Sequence, residues 1–226
     1  MIAIDSLVPA VLRRDIVALP AGVKECVSMT AKPATTTPQH FSIEVERVAA
    51  PTDEVRALVA ELESELAANY PPEQRHGLSV EAIFQPNVRF FVARVTVGGG
   101  GVSCSDSEGD SGRRDGGEPV GCGGIALLDG FAELKRMFVR PAWRGAGVAD
   151  AIITRLEHEA LACGRPLVRL ETGTEQHAAI RFYERRGYRR CAAFEPYASM
   201  SAGAVRGSVF MERFVQIVFD PSCERH

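Results

Sequence analysis

The stretch Met137-Phe138-Val139-Arg140-Pro141-Ala142-Trp143-Arg144-Gly145-Ala146-Gly147-Val148-Ala149 passes from a strand-like apolar run, through a glycine-containing turn, into a helical pattern. Backbone N–H groups at a helix start have no partner inside the helix, and the helix dipole adds partial positive charge there. Glycines remove the Cβ atoms that would hold a diphosphate away. Arg144, Gly145, Ala146, Gly147, Val148 and Ala149 therefore form a candidate cradle for phosphate oxygens. The plainer alternative is an ordinary strand-to-helix turn. A P-loop requires Gly-Lys-Ser/Thr, which this chain lacks. A Rossmann fingerprint requires a third glycine where Asp150 stands, and it normally follows the first strand, whereas more than a hundred residues precede this turn. Glu171 closes the next strand-like run, where a ribose-binding acid would lie, so that alternative stays open. Arg181, Arg185, Arg186, Arg189 and Arg190 could draw a phosphate, but they read better as a solvated helix-and-strand surface. The five histidines are dispersed without ligand spacing, so no metal site is expected.

Bulk composition narrows the classes further. The chain has 226 residues, 26 Lys+Arg against 29 Asp+Glu and a net charge of -3, so it lacks the basic footprint of a nucleic-acid binder. No apolar run approaches the ~18 residues that a membrane span needs, and no membrane partner is expected. Six cysteines without a C-x-x-C pair point to a reducing, cytoplasmic setting. Asp5, Arg13, Arg14 and Asp15 break up any signal-peptide core.

These residues need a scaffold, and the patterning supplies one. Residues 1–40 end in a Pro/Thr-rich run and are expected to form a poorly ordered arm, with Met29 an alternative start. Phe41, Ile43 and Val45 alternate with polar residues as in a half-buried strand. Thr52 caps a predicted helix whose Val55, Leu58, Val59, Leu62 and Leu66 share one face, ending at Pro71-Pro72. A short helix at 80–84 leads to a strand at 88–97. Residues 98–119 hold almost no large apolar side chain and are expected to be a disordered hairpin loop. Strands follow at 120–128 and 131–139, a helix at 147–163, a strand at 166–171, a helix at 175–186 and strands at 188–194 and 208–215. This order gives an α/β domain over 41–215, with a mixed sheet and helices on both faces, and a tail at 216–226.

Arg144-x-x-Gly147-x-Ala149 resembles the R/Q-x-x-G-x-G/A signature of the GNAT N-acetyltransferases, and the likeness extends over roughly 41–215. Ala179-Ile-Arg-Phe-Tyr183-Glu-Arg-Arg-Gly187-Tyr188 resembles the family's A-x-x-x-Y-E-x-x-G-F/Y segment. Segments around Tyr70–Gly77, Glu133–Met137, Leu170–Gly173 and Phe194–Tyr197 resemble a bacterial subgroup. One departure is Glu175-Gln176, where the family often carries Asn. The resemblance implies the GNAT fold, a mostly antiparallel sheet whose parallel central strands, here 131–139 and 166–172, splay apart. It also implies acetyl-CoA as cosubstrate, held by Met137, Phe138, Val139 and residues 144–149. The implied activity is transfer of an acetyl group to a primary amine, of a small molecule in preference to a protein, in a ternary complex; a non-catalytic acyl-CoA-binding or interaction module and a protein N-acetyltransferase are the alternatives. A homodimer is compatible with this reading. Amine acetylation needs a base and an acid. Glu133 and Glu171 are the base candidates, with Glu133 preferred because the family's first splayed strand is bulged. Tyr183 is implied as proton donor to the coenzyme sulfur. His76, Arg136 and Tyr197 are candidate acceptor contacts, and Lys135 and Arg136 are expected on opposite faces of their strand.

Overall fold

The structure, a computed structural model, describes residues 26–30, 40–97 and 117–216. Among the described residues, one sheet carries eight strands: β1 (Cys26–Thr30), β2 (His40–Val48), β3 (Val88–Val97), β4 (Glu118–Leu127), β5 (Ala132–Val139), β6 (Leu167–Gly173), β7 (Arg189–Arg190) and β8 (Ser208–Phe214). Their spatial order is β1-β2-β3-β4-β5-β6-β8-β7. Neighbours pair antiparallel except β5 and β6, which run parallel. Three α-helices of the described residues pack on this sheet: α1 (Asp53–Ala67), α2 (Val148–Ala162) and α3 (His177–Arg185).

Helices cover both faces. The Thr52 hydroxyl accepts the Val55 N–H to start α1, whose Val55, Leu58, Val59 and Leu62 bury against Phe90, Val92, Cys122 and Phe138. On the opposite face Val148, Ile152, Ile153, Leu156 and Ala160 of α2 join Ile43, Phe91, Val120 and Leu134 in the larger core, which α3 completes with Ile180 and Tyr183. Gly123 of β4 lets α2 approach closely: a Cβ there would lie 2.8 Å from both Ile152 Cγ2 and Met137 Sδ. A third, aromatic cluster of Phe194, Tyr197 and Phe210 lies beside β6 and β8.

Some expectations need correction. Cys26–Thr30, assigned to a poorly ordered arm, is a strand paired with Phe41–Glu44 and His40, using the otherwise open edge of β2. The other residues of 1–39, residues 98–116 of the expected disordered loop, and 217–226 of the expected tail lie outside the described residues. Strand β4 begins at Glu118, inside the segment assigned to the loop. The strand expected at 188–194 shrinks to Arg189–Arg190, because Tyr188 turns inward onto Tyr183 while Phe194 leaves the ladder to pack on Tyr197 and Phe210. The short helix at 80–84 is a single 3₁₀ turn, Ala82–Phe84.

Candidate active site

Strands β5 and β6 pair only between Ala132–Leu134 and Val168–Leu170, although β5 continues to Val139 and β6 to Gly173. Beyond that point they separate. Opposite β4, Cys122 faces Phe138 and Gly124 faces Lys135, so Arg136 and Met137 together oppose Gly123. This is a β-bulge, with Arg136 at φ +57°. It breaks the alternation. Lys135 and Arg136 therefore lie on the same, α1-side face, not on opposite faces: Arg136 pairs with Glu63 of α1 and donates to the Leu78 carbonyl, while Met137 turns to the α2 core.

The gap opens into a cavity of about 110 Å³, walled by both strands, by the loop from Tyr70 to Gly77, and by Tyr183 and Tyr197. Glu171 lines it from β6. The Ser208 hydroxyl donates to Glu171 Oε1 at 2.6 Å. Burial pushes the Glu171 carboxyl pKa up, against the opposing pull of Ser208, His76 and Lys135. A carboxylate raised in this way is a better proton acceptor near neutral pH than a solvated one.

Tyr183 reaches the same cavity from α3. Its ring is 6% exposed and packs edge-on against Phe182 and Tyr188, at 5.4 and 5.7 Å between centroids. Its hydroxyl has no hydrogen-bond partner among the described residues. Burial, with the Glu171 charge adding to it, pushes the phenol pKa up, so the group keeps its proton.

Glu133 is placed differently. It is 1% exposed and absent from the cavity wall. The Tyr197 hydroxyl donates to Glu133 Oε1 at 2.7 Å, Lys135 Nζ lies 2.8 Å from that oxygen, and Lys135 Nζ also donates to the Tyr197 hydroxyl at 2.7 Å. This closed triangle holds Lys135 and Tyr197 at the cavity. His76 donates from Nε2 to the Ala204 carbonyl at 3.0 Å, and its ring packs edge-on against Tyr197. The loop from Tyr70 and the segment before β8 are thereby tied together beside the cavity.

The glycine turn stands at the far end of β5. Gly145 and Gly147 adopt φ +80° and +84°, where side-chain-bearing residues are strained. Gly147 is the N-cap of α2 and brings no side chain to cap it, so the first-turn amides remain open to a ligand. Arg144 turns its side chain back, donating to the Val139 carbonyl at 2.9 Å and to Glu65 at 2.6 Å. It braces the turn, and its backbone N–H is also held within it, by the Pro141 carbonyl at 3.3 Å. Phe138 and Val139 are buried in the two cores, Met137 lines the cavity, and Ala146 and Ala149 pack on the α2 side. An uncapped helix start preceded by two positive-φ glycines fits an anionic pyrophosphate. Arg186 is not part of a solvated surface: it donates to buried Glu157, as do Tyr188 and Arg213.

Sequence reasoning did not assign roles to Tyr70, Arg75 and Gln176, which line the cavity. The Tyr70-Pro-Pro run after α1 was the available signal, since it returns the chain to the sheet.

Residues 104–188 match the acetyltransferase (GNAT) family. Over 163 residues the chain is 34% identical to the IAA acetyltransferase of Azospirillum brasilense, covering 71% of this chain and 90% of that protein. A proposed acyl-CoA N-acyltransferase from Klebsiella pneumoniae superposes with a TM-score of 0.53 at 30% identity, over 77% of this chain and 98% of its own. PaiA N-acetyltransferase from Thermoplasma acidophilum, solved with coenzyme A, shares the fold at 15% identity and a TM-score of 0.51, over 76% and 98% of the two chains. Fold, glycine turn and relatives together define an acetyl-CoA-dependent acetyltransferase. The chain belongs to the GNAT acetyltransferase family.

Proposed function

We propose that this enzyme acetylates the primary amine of a small molecule, by direct attack with both substrates bound. The observation that carries the reading is the pairing, in one cavity, of a buried carboxylate of raised pKa, Glu171, with the unpartnered hydroxyl of Tyr183. Acetyl-CoA supplies the activated acetyl group as a thioester. Glu171 takes the proton that an ammonium must lose before it is nucleophilic, and Tyr183 gives one to the departing sulfur. The amides at the start of α2 hold the pyrophosphate. Glu133, sealed under Lys135 and Tyr197, serves as a positioning residue, which reverses the preference drawn from the sequence. A cavity of about 110 Å³, with His76 in its wall held by the Ala204 carbonyl, favours a small acceptor over a protein side chain.

A thiol-release screen tests this with acetyl-CoA and a panel of amino acids, polyamines, aminoglycosides and peptides, with mass spectrometry of the products. One or more small amines should be acetylated in step with thiol release. Tight acetyl-CoA binding without acetylation of any panel member would replace this reading with that of a non-catalytic acyl-CoA-binding module.

A further inference from the structure

We infer that the acceptor carries a carboxylate close to its amine, as an amino acid does, and that Arg75 reads this carboxylate; the inference rests on the amine-acetyltransferase reading above. It comes from the distribution of charge around the cavity. Three permanent cations line it, Arg75, Lys135 and Arg136, and Glu171 is the only acid among the described residues that does so. Lys135 is matched by Glu133 at 2.8 Å. Arg75 and Arg136 share one acid, Glu63: Arg136 holds it closely, whereas Arg75 reaches it only at 3.5 Å. One guanidinium charge is therefore in excess on the α1 side of the cavity, and one carboxylate stands on the β6 side. A zwitterion complements both ends, with its ammonium at Glu171 and its carboxylate at Arg75.

Hydrogen-bond inventory points the same way. Arg75 Nε is buried and has no acceptor among the described residues. Buried donors are satisfied in the great majority of cases, so an orphan beside a cavity is consistent with a ligand acceptor there, although Arg186 Nε, which does not line the cavity, is also without one. A guanidinium presents adjacent N–H groups in a plane that matches both oxygens of a carboxylate. Arg136 Nε is likewise without a partner, but its terminal nitrogens are fixed on Glu63 and the Leu78 carbonyl, so it adds charge and not a movable fork. His76 has committed its Nε2 proton to Ala204. A polyamine would bring its second cation against Arg75 and Lys135, and a plain amine would leave Arg75 with only its shared contact to Glu63 at 3.5 Å.

Matched substrates test the inference. The kcat/KM for thiol release is measured with phenylalanine, phenylalaninamide and phenethylamine, and with the same trio built on smaller side chains. The acid is expected to exceed the amide and the plain amine by about tenfold or more, the range of a charge-assisted hydrogen bond. Arg75→Gln should reduce that ratio about tenfold, chiefly through KM of the acid, and Arg75→Lys should restore part of it. Should Arg75→Gln not fold, the substrate ratios of the unaltered enzyme still decide. Equal or better turnover of amides and plain amines, with Glu171→Gln still strongly impaired, overturns the carboxylate inference and leaves the amine reading standing. No turnover of any amine overturns both.

Discussion

Replacing Glu171 with Gln separates its chemistry from its packing. The Gln side chain has the same shape, and its carbonyl oxygen still accepts the Ser208 hydroxyl, which lies 2.6 Å from Glu171 Oε1. The magnitude follows from the acceptor. An alkylamine with a pKa near 10.4 is uncharged in about one molecule in a thousand at pH 7.4, a gap of about three pKa units or ~4 kcal/mol. A base in the site removes that burden, so kcat/KM should fall about 10³-fold, inside the 10²–10⁴ range of general acid–base catalysis. The deficit should shrink about tenfold for each pH unit of added alkalinity, as free amine becomes abundant. In the unaltered enzyme the acidic limb of the profile should lie above pH 4.5, because burial raises the Glu171 pKa from that value. Stability supplies an independent check. A carboxyl with a raised folded-state pKa favours the fold below its unfolded-state pKa, and that contribution is lost as pH rises through the folded-state value. Near neutrality, then, the Gln variant should melt at or above the Tm of the parent, and the two should converge below about pH 4.5. Stopped assays of kcat/KM across pH 5.5–10, read beside thermal melts, decide the matter. A loss under tenfold, or a flat profile in this variant beside a steep one in Glu133→Gln, would refute the assignment.

Three further outcomes are expected. Gly147→Glu puts a negative side chain at a positive-φ N-cap, so calorimetric titration should show acetyl-CoA affinity reduced at least 100-fold in a folded protein. Tyr183→Phe keeps the ring contacts with Phe182 and Tyr188, so kcat should drop about 10²-fold with the coenzyme Kd unchanged; a change within twofold makes the tyrosine a bystander. Glu157→Ala strands three donors, from Arg186, Tyr188 and Arg213, and urea titration should show a loss of about 2–4 kcal/mol, below the full buried-pair value because both arginines are partly solvated.

The glycine turn proposed to hold the phosphates and most of the scaffold were legible in the sequence because both are local. Thr52, Gly145 and Gly147 announce caps and turns within a few residues, and the spacing of Val55 to Leu62 and of Val148 to Ala160 marks the buried faces of α1 and α2. Choosing between Glu133 and Glu171 was beyond local pattern. Both lie on strands, and what separates them is contact with residues 64 and 37 positions away, Tyr197 and Ser208. Arg75 was hidden for the same reason, since its partner Glu63 and the cavity it lines meet only in the fold. Alternation misled at Lys135 and Arg136, because a pattern of period two carries no sign of where a strand will slip by one residue. Cys26–Thr30 was missed as an edge strand, whose place in the sheet comes from backbone pairing with β2.

The bulge at Arg136 and Met137 bears on how the cleft fills. The extra residue bends and twists β5 just after the last pair with β6, Leu134 with Leu170. Separation of the two strands is thereby a permanent defect in the ladder, set by the parity of β5 before any ligand arrives. No inter-strand hydrogen bonds have to be broken to admit a thioester and re-formed to release it. Binding free energy is therefore not spent on parting these two strands.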